Sequence, residues 1–123
     1  MTIGVGVDIV EISRIERSVK RWGAKFARRI FSERELTVFA DRTEESGLLA
    51  RQFAAKEAVS KALGTGMKGI GFRDITVIRN EAGAPLVELS DHAASRASEI
   101  GVENILISIS DERDYAIAYA VAE

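Results

Sequence analysis

With 123 residues, 17 Lys and Arg against 19 Asp and Glu, one His and no Cys, the chain has the length of one domain and the composition of an ordinary soluble globular protein. No stretch reaches the roughly 20 apolar residues of a membrane span, no secretory signal opens it, and the lack of cysteine excludes disulfides, thiolate nucleophiles and Cys-ligated zinc. A single histidine rules out a His-rich metal site, so any chemistry must rest on carboxylates, lysines, backbone amides or a borrowed ion, in an expected cytoplasmic setting.

Residues 3–10 alternate as a strand, with Ile3, Val5, Val7 and Ile9 on one side and Gly4, Gly6 and Asp8 on the other. Two glycines beside an acid on one face leave that backbone open to close approach. From Ser13 to about Phe39 the pattern predicts two or three short helices, broken near Gly23 and restarted at Ser32, where Ser32-Glu33-Arg34-Glu35 fits a capping box. Arg14 to Arg34 holds eight basic residues against Glu16 and Glu33, a local charge of +6 that leaves −8 for the rest of the chain. A solvated helical face and a docking surface for an acidic macromolecule both fit that run. The near-neutral total argues against indiscriminate nucleic-acid binding.

A longer, Ala-rich helix is predicted from about Ser46 to Leu63, ending at Gly64. The glycine-dense segment Gly64 to Gly71 must be a loop. Beyond it, 74–79 and 86–89 form one predicted hairpin, a short helix capped by Ser90 or Asp91 runs to about Ile100, and 105–110 with 115–121 form a second hairpin. In the last strand Ala116, Ala118 and Ala120 share a face on which a helix can pack closely. The expected architecture is α+β, one domain spanning 1–123 with helices packed on an antiparallel sheet.

Three features could carry chemistry. Asp8 stands among apolar residues, where an unpaired acid is costly, although it could also cap the following helix. In Lys56-Glu57-Ala58-Val59-Ser60-Lys61 the spacing makes Glu57 and Lys61 neighbours on one helix face, bordering its apolar side beside Ala54 and Ala58. The glycine loop follows a helix C-terminus, where the dipole disfavours anions, and it lacks P-loop spacing. Together, two carboxylates from separate segments and a lysine suit a Mg²⁺ site completed by water and phosphate.

These residues resemble those of the holo-acyl-carrier-protein synthases, the small group of 4′-phosphopantetheinyl transferases. The shared marks are Val5-Gly6-Val7-Asp8, then after 44 intervening residues Phe53-Ala54-Ala55-Lys56-Glu57-Ala58-Val59-Ser60-Lys61. Further marks are Glu35-Leu36, Lys61-Ala62-Leu63-Gly64-Thr65-Gly66 and Ser108-Ile109-Ser110, so the resemblance runs through nearly the whole chain. It implies transfer of 4′-phosphopantetheine from coenzyme A to a serine of apo acyl carrier protein, in support of fatty acid biosynthesis, releasing adenosine 3′,5′-bisphosphate. It implies Asp8 and Glu57 as Mg²⁺ ligands, Glu57 and Lys61 as catalytic residues, and Lys61, Gly64, Gly66, Ser110 and Asp111 as coenzyme A contacts. The serine proton is expected to leave through a metal-bound water or through Glu57. By the same resemblance the protein is a homotrimer with sites at subunit interfaces, and Arg14, with Arg17, Arg21, Lys25 and Arg28, docks the acidic carrier protein.

Two positions depart from the family pattern. Asp111 stands where His is usual, and Gln52 where a basic residue is usual, with Arg51 about 100° away around the helix. Both positions are expected near coenzyme A phosphates, which suggests a different or weaker grip on the 3′-phosphate. His92 is expected to be structural or inert. The rival readings are a non-catalytic module binding an acidic protein or RNA, and a divergent transferase with another carrier.

Overall fold

A computed structural model describes residues 1–123. In chain order its elements are β1 (Gly4–Glu11), α1 (Ile12–Trp22), α2 (Ala24–Ile30), α3 (Glu33–Val38), α4 (Ser46–Ala62), a 3₁₀ turn at Phe72–Asp74, β2 (Ile75–Arg79), β3 (Pro85–Leu89), α5 (Asp91–Glu99), β4 (Ile105–Asp111) and β5 (Tyr115–Ala122). The predicted elements all form. The strands divide, however, into a three-stranded sheet in the order β1-β5-β4 and a separate two-stranded sheet, β2-β3, with every pairing antiparallel.

Register explains how α4 is seated. Gly4, Gly6, Asp8 and Val10 pair with Ala122, Ala120, Ala118 and Ala116, so one face of the β1–β5 pair carries almost no side-chain bulk. On that floor α4 lies close enough that a Cβ on Gly6 would stand 2.0 Å from Ala58 O, and one on Gly4 2.0 Å from Ala62 O. The helix answers with small residues of its own: Ala54, Ala55, Ala58 and Ala62 are all buried. Ile105, Ile107 and Ile109 of β4 and the fully buried Phe31, Leu49, Val59, Leu63 and Ile75 complete the core. Burying one such large side chain contributes about 1.5–3 kcal/mol.

The opposite face of the same sheet has no cover. Val5, Val7 and Ile9 of β1, Tyr115, Ile117 and Tyr119 of β5, and Leu106 of β4 are each between 41% and 60% exposed. A one-sided sheet normally turns its apolar side inward. Here the glycine and alanine side faces the helix, because only that side admits α4 so closely, and the bulky side faces out.

Among the α-helices a side-chain N-cap forms only at α3. At α3 the capping box is complete, with Glu35 N–H donating to Ser32 Oγ and Ser32 N–H donating to Glu35 Oε1. Gly64, at φ +84°, ends α4 with its N–H on Lys61 O, while Thr65 and Gly66 both donate to Ser60 O. Ser90 occupies the N-cap of α5 without a side-chain cap, its hydroxyl donating instead to Asp74 O.

Candidate active site

Asp8 lies mid-strand on the floor beneath α4, with its side chain 17% exposed. It caps no helix: Glu11 occupies the N-cap of α1, and no side chain caps that end. Lys61, in the last turn of α4, reaches across to β1 and donates to Asp8 Oδ1 at 3.2 Å and to Val7 O at 2.9 Å. Neighbours on one helix face, Glu57 and Lys61 form no ion pair with each other, and Lys61 pairs instead across to β1. Lys61 can make the reach because Gly6 lets the helix and strand meet; a Cβ on Gly6 would lie 2.8 Å from Lys61 Cβ.

Glu57 completes the group, half-buried at the same meeting of β1 and α4. Its carboxyl is pushed above the usual carboxylate range, first by burial and then by the negative charge of Asp8, with Lys61 and Arg14 pulling the other way. A carboxylate whose ionisation is opposed by burial and by a neighbouring negative charge is the electrostatic situation that a divalent cation relieves. No further Asp, Glu or His joins them into a cluster of three. Such a pair, with oxygen ligands only, fits Mg²⁺, which keeps several waters and takes its remaining ligands from phosphate. One donor of the Lys61 ammonium remains beyond the two already used.

The glycine loop is positioned but not open. Its Gly64, Thr65 and Gly66 amides are turned back onto the carbonyls of α4, so in this conformation they close the helix. From α5, Arg96 Nε donates to Leu63 O at 2.9 Å and satisfies a further carbonyl of the same helix end. Ser110 and Asp111 lie at the end of β4. Asp111 pairs with Arg51 at 3.5 Å, both partly exposed.

Gln52 is not near any surface a phosphate could reach. It is 5% exposed, and its side-chain amide donates to Glu35 Oε2 at 2.7 Å and to Val77 O at 2.9 Å. It belongs to a buried network missed in the sequence. Glu35 and Lys56 are both fully buried and paired at 2.5 Å, and Lys56 also donates to Ile30 O and Phe72 O. Burial pushes the Lys56 ammonium down, with Glu35 as the main opposing influence. The capping box pointed to Glu35, but only as a helix start.

The basic residues Arg14, Arg17, Arg21, Lys25 and Arg28 are all exposed on α1 and α2. The Arg14 guanidinium lies 5.7 Å from the Phe53 ring centre, and Arg21 4.9 Å from that of Trp22. Phe53 in turn stacks on Phe72 at 5.1 Å. These rings, with Lys25, Phe26 and Arg29, line a groove of about 570 Å³. His92 is exposed on α5, remote from these groups in the chain and engaged in no side-chain hydrogen bond.

Residues 4–120 match the model of the 4′-phosphopantetheinyl transferase superfamily. The chain is 48% identical, over its whole length and 98% of the other protein, to a holo-acyl-carrier-protein synthase of Vibrio cholerae. It is 44% identical, at the same coverage, to the corresponding protein of Hydrogenovibrio crunogenus. Among solved structures, the holo-acyl-carrier-protein synthase of Neisseria meningitidis superposes with a TM-score of 0.92 at 39% identity, covering 100% of this chain and 99% of that one. The Helicobacter pylori enzyme, solved in complex with coenzyme A, gives 0.83 at 38% identity, covering 97% and 99%. A glycine-floored strand bearing Asp8, a helix bearing Glu57 and Lys61, and full-length likeness in sequence and fold agree: the chain belongs to the holo-acyl-carrier-protein synthase family of 4′-phosphopantetheinyl transferases.

Proposed function

We propose that this enzyme transfers 4′-phosphopantetheine from coenzyme A to a serine of apo acyl carrier protein, in a Mg²⁺-dependent reaction that releases adenosine 3′,5′-bisphosphate and serves fatty acid biosynthesis in the cytoplasm. The observation that carries the reading is the convergence of Asp8, Glu57 and Lys61 from β1 and α4 on one partly open site. Asp8 and Glu57 are the residues that would hold Mg²⁺. Bound there, the ion would neutralise pyrophosphate oxygens and make the adenosine bisphosphate a better leaving group.

The remaining work belongs to side chains. The serine oxygen forms a bond to the phosphorus carrying pantetheine while its proton passes to Glu57 or to a neighbouring water, and the bond from that phosphorus to the bridging oxygen of the pyrophosphate breaks, so that adenosine 3′,5′-bisphosphate leaves with that oxygen. Lys61, 46% exposed and holding Asp8, offers its remaining donor to the departing phosphate and offsets charge as it develops. Gly64, Gly66, Ser110 and Asp111 border the coenzyme A path. Arg14, Arg17, Arg21, Lys25 and Arg28 receive the acidic carrier, with the Trp22–Phe53–Phe72 groove beside them for an apolar side chain.

The working form is a homotrimer. The uncovered apolar face of the β1-β5-β4 sheet supports self-association, since patches of this kind mark interfaces. The deciding experiment mixes the protein with coenzyme A, Mg²⁺ and an apo carrier and records the carrier's intact mass. Gain of one phosphopantetheine, requiring Mg²⁺ and lost in Glu57→Ala, supports the proposal. No gain with several acidic carriers overturns it.

A further inference from the structure

The reaction as described makes no use of Lys56 and Glu35, yet they are the most costly groups in the interior. The Lys56 ammonium spends all three donors, on Glu35 Oε1 at 2.5 Å, Ile30 O at 2.7 Å and Phe72 O at 3.0 Å. Glu35 receives, besides Lys56, the Ser32 and Val77 backbone amides and the Gln52 side chain. No buried side-chain polar atom is left without a partner. The pair also sits well with the helix dipoles: Glu35 is in the first turn of α3, and Lys56 caps the last carbonyl of α2.

Stability alone does not account for it, because apolar residues of similar volume replace a buried ion pair at little or no loss. What the pair supplies is direction. Buried residues occur almost all round α4, and many of them are alanines: Ala50, Ala54, Ala55, Ala58 and Ala62. Where α4 meets the sheet, Ala54, Ala58 and Ala62 resist separation but oppose rotation only weakly, so the directional bonds of Lys56, with those of Gln52 and Lys61, set the angle of the helix. Glu57 immediately follows Lys56, so an error in that rotation is transmitted directly to its carboxylate.

We propose that Lys56, held by Glu35, is a positioning residue for the transfer reaction: its three hydrogen bonds to α2, α3 and the 3₁₀ turn fix the rotation of α4 that aims Glu57 at Asp8. The inference rests on the reading of Asp8 and Glu57 as the metal pair. It extends to the carrier side as well, since the Phe72 carbonyl gripped by Lys56 belongs to the residue whose ring stacks under Phe53.

The test is the double variant Lys56→Met/Glu35→Gln, which removes both charges and leaves no ion unpaired. Its fold is checked by circular dichroism and thermal midpoint. Two readouts follow: kcat, and Mn²⁺ binding followed by electron paramagnetic resonance in the presence of coenzyme A. The expected result is a folded protein whose kcat falls by about 10- to 100-fold, the scale of a misplacement near 1 Å, with weakened Mn²⁺ binding. Lys56→Gln/Glu35→Gln, neutral but still hydrogen-bonding, is expected to recover part of both, and it serves as the test if the first variant melts. Wild-type kcat and Mn²⁺ affinity in folded Lys56→Met/Glu35→Gln overturns the proposal; should that variant melt, wild-type values in Lys56→Gln/Glu35→Gln overturn it instead. Glu57→Gln run alongside separates the two ideas: if it keeps full activity and Mn²⁺ binding, the metal reading fails whatever Lys56 does.

Discussion

Replacing Gly6 by alanine tests the close meeting of β1 and α4 on which the site depends. The added Cβ would stand 2.0 Å from Ala58 O, 2.7 Å from Ala62 N and 2.8 Å from Lys61 Cβ. The nearest obstacle is a backbone carbonyl inside a helix, which no rotamer change can move. Restoring even a tight 3.0 Å contact requires about 1 Å of separation between strand and helix. The Lys61 Nζ to Val7 O bond, 2.9 Å long, would then stretch beyond hydrogen-bond range, and Glu57 would retreat from Asp8 by a similar amount. Overpacking of this kind costs about 1–3 kcal/mol, and a 1 Å error at a reacting centre costs about 100-fold in rate. The assay is transfer to an apo carrier followed by intact mass, beside a thermal melt. Gly83→Ala is the control: it sits at φ +85° in the β2–β3 turn with nothing within 4 Å of a new Cβ. Backbone strain there costs about 1–2 kcal/mol, so the control loses comparable stability and keeps its rate. A Gly6→Ala protein within twofold of wild-type activity would refute the reasoning.

Other expectations are independent of that one. Because the folded state raises the Glu57 carboxyl, it binds more protons than the unfolded chain between the ordinary and the raised value. The stability this group adds is therefore full at low pH and lost as pH climbs through the raised value. Glu57→Gln should melt higher than wild type in metal-free buffer at pH 7.5, with the advantage shrinking by pH 4.5; equal melting at both pH values would argue against it. Arg14→Glu with Arg21→Glu should raise the carrier KM by about tenfold or more while sparing that for coenzyme A, and an unchanged carrier KM rules out this docking face. Ile117→Lys, on the uncovered sheet face, should lower the mass by light scattering from three chains towards one; a monomeric wild-type protein would remove the trimer. Coenzyme A and dephospho-coenzyme A should bind with similar affinity while Asp111 occupies Arg51, and Asp111→Asn should widen the gap. A large loss without the 3′-phosphate in the wild type would sink that idea.

The parts of the site legible in the sequence were those encoded by local grammar. Alternation placed Gly4, Gly6 and Asp8 on one strand face, and alanine alternation in 116–120 announced a close helix; together they define the floor under α4. Spacing put Glu57 and Lys61 on one helix face, but spacing carries no information about distant partners. That is why the helix pattern alone does not reveal that Lys61 reaches Asp8, and why the capping box at Glu35 does not announce the buried counterion of Lys56. Gln52 misled for the same reason: its one-dimensional position suggested a phosphate, and its three-dimensional one is the Glu35 network. The outward face of Val7, Ile117 and Tyr119 was invisible because an alternating strand does not say which side is covered. The non-catalytic module considered for the basic stretch gives way to an enzyme family matched from residue 4 to residue 120.

Placing the acid on a glycine strand has a physical reason. An aspartate in the middle of an apolar sheet must be paired, and pairing it through a long flexible side chain leaves its position loose. Glycine at 4 and 6 and alanine at 116, 118, 120 and 122 bring a whole helix to van der Waals distance, so Lys61 can hold both Asp8 and the Val7 carbonyl at once. The same closeness buries Glu57, which pushes its carboxyl up, and the nearby charge of Asp8 adds to that shift. Charges crowded in this way destabilise the free protein and favour whatever divalent ion and phosphate relieve them. Small residues on strand and helix thus allow two carboxylates and one lysine to act together, and the nearly neutral composition of the chain gives no hint of it.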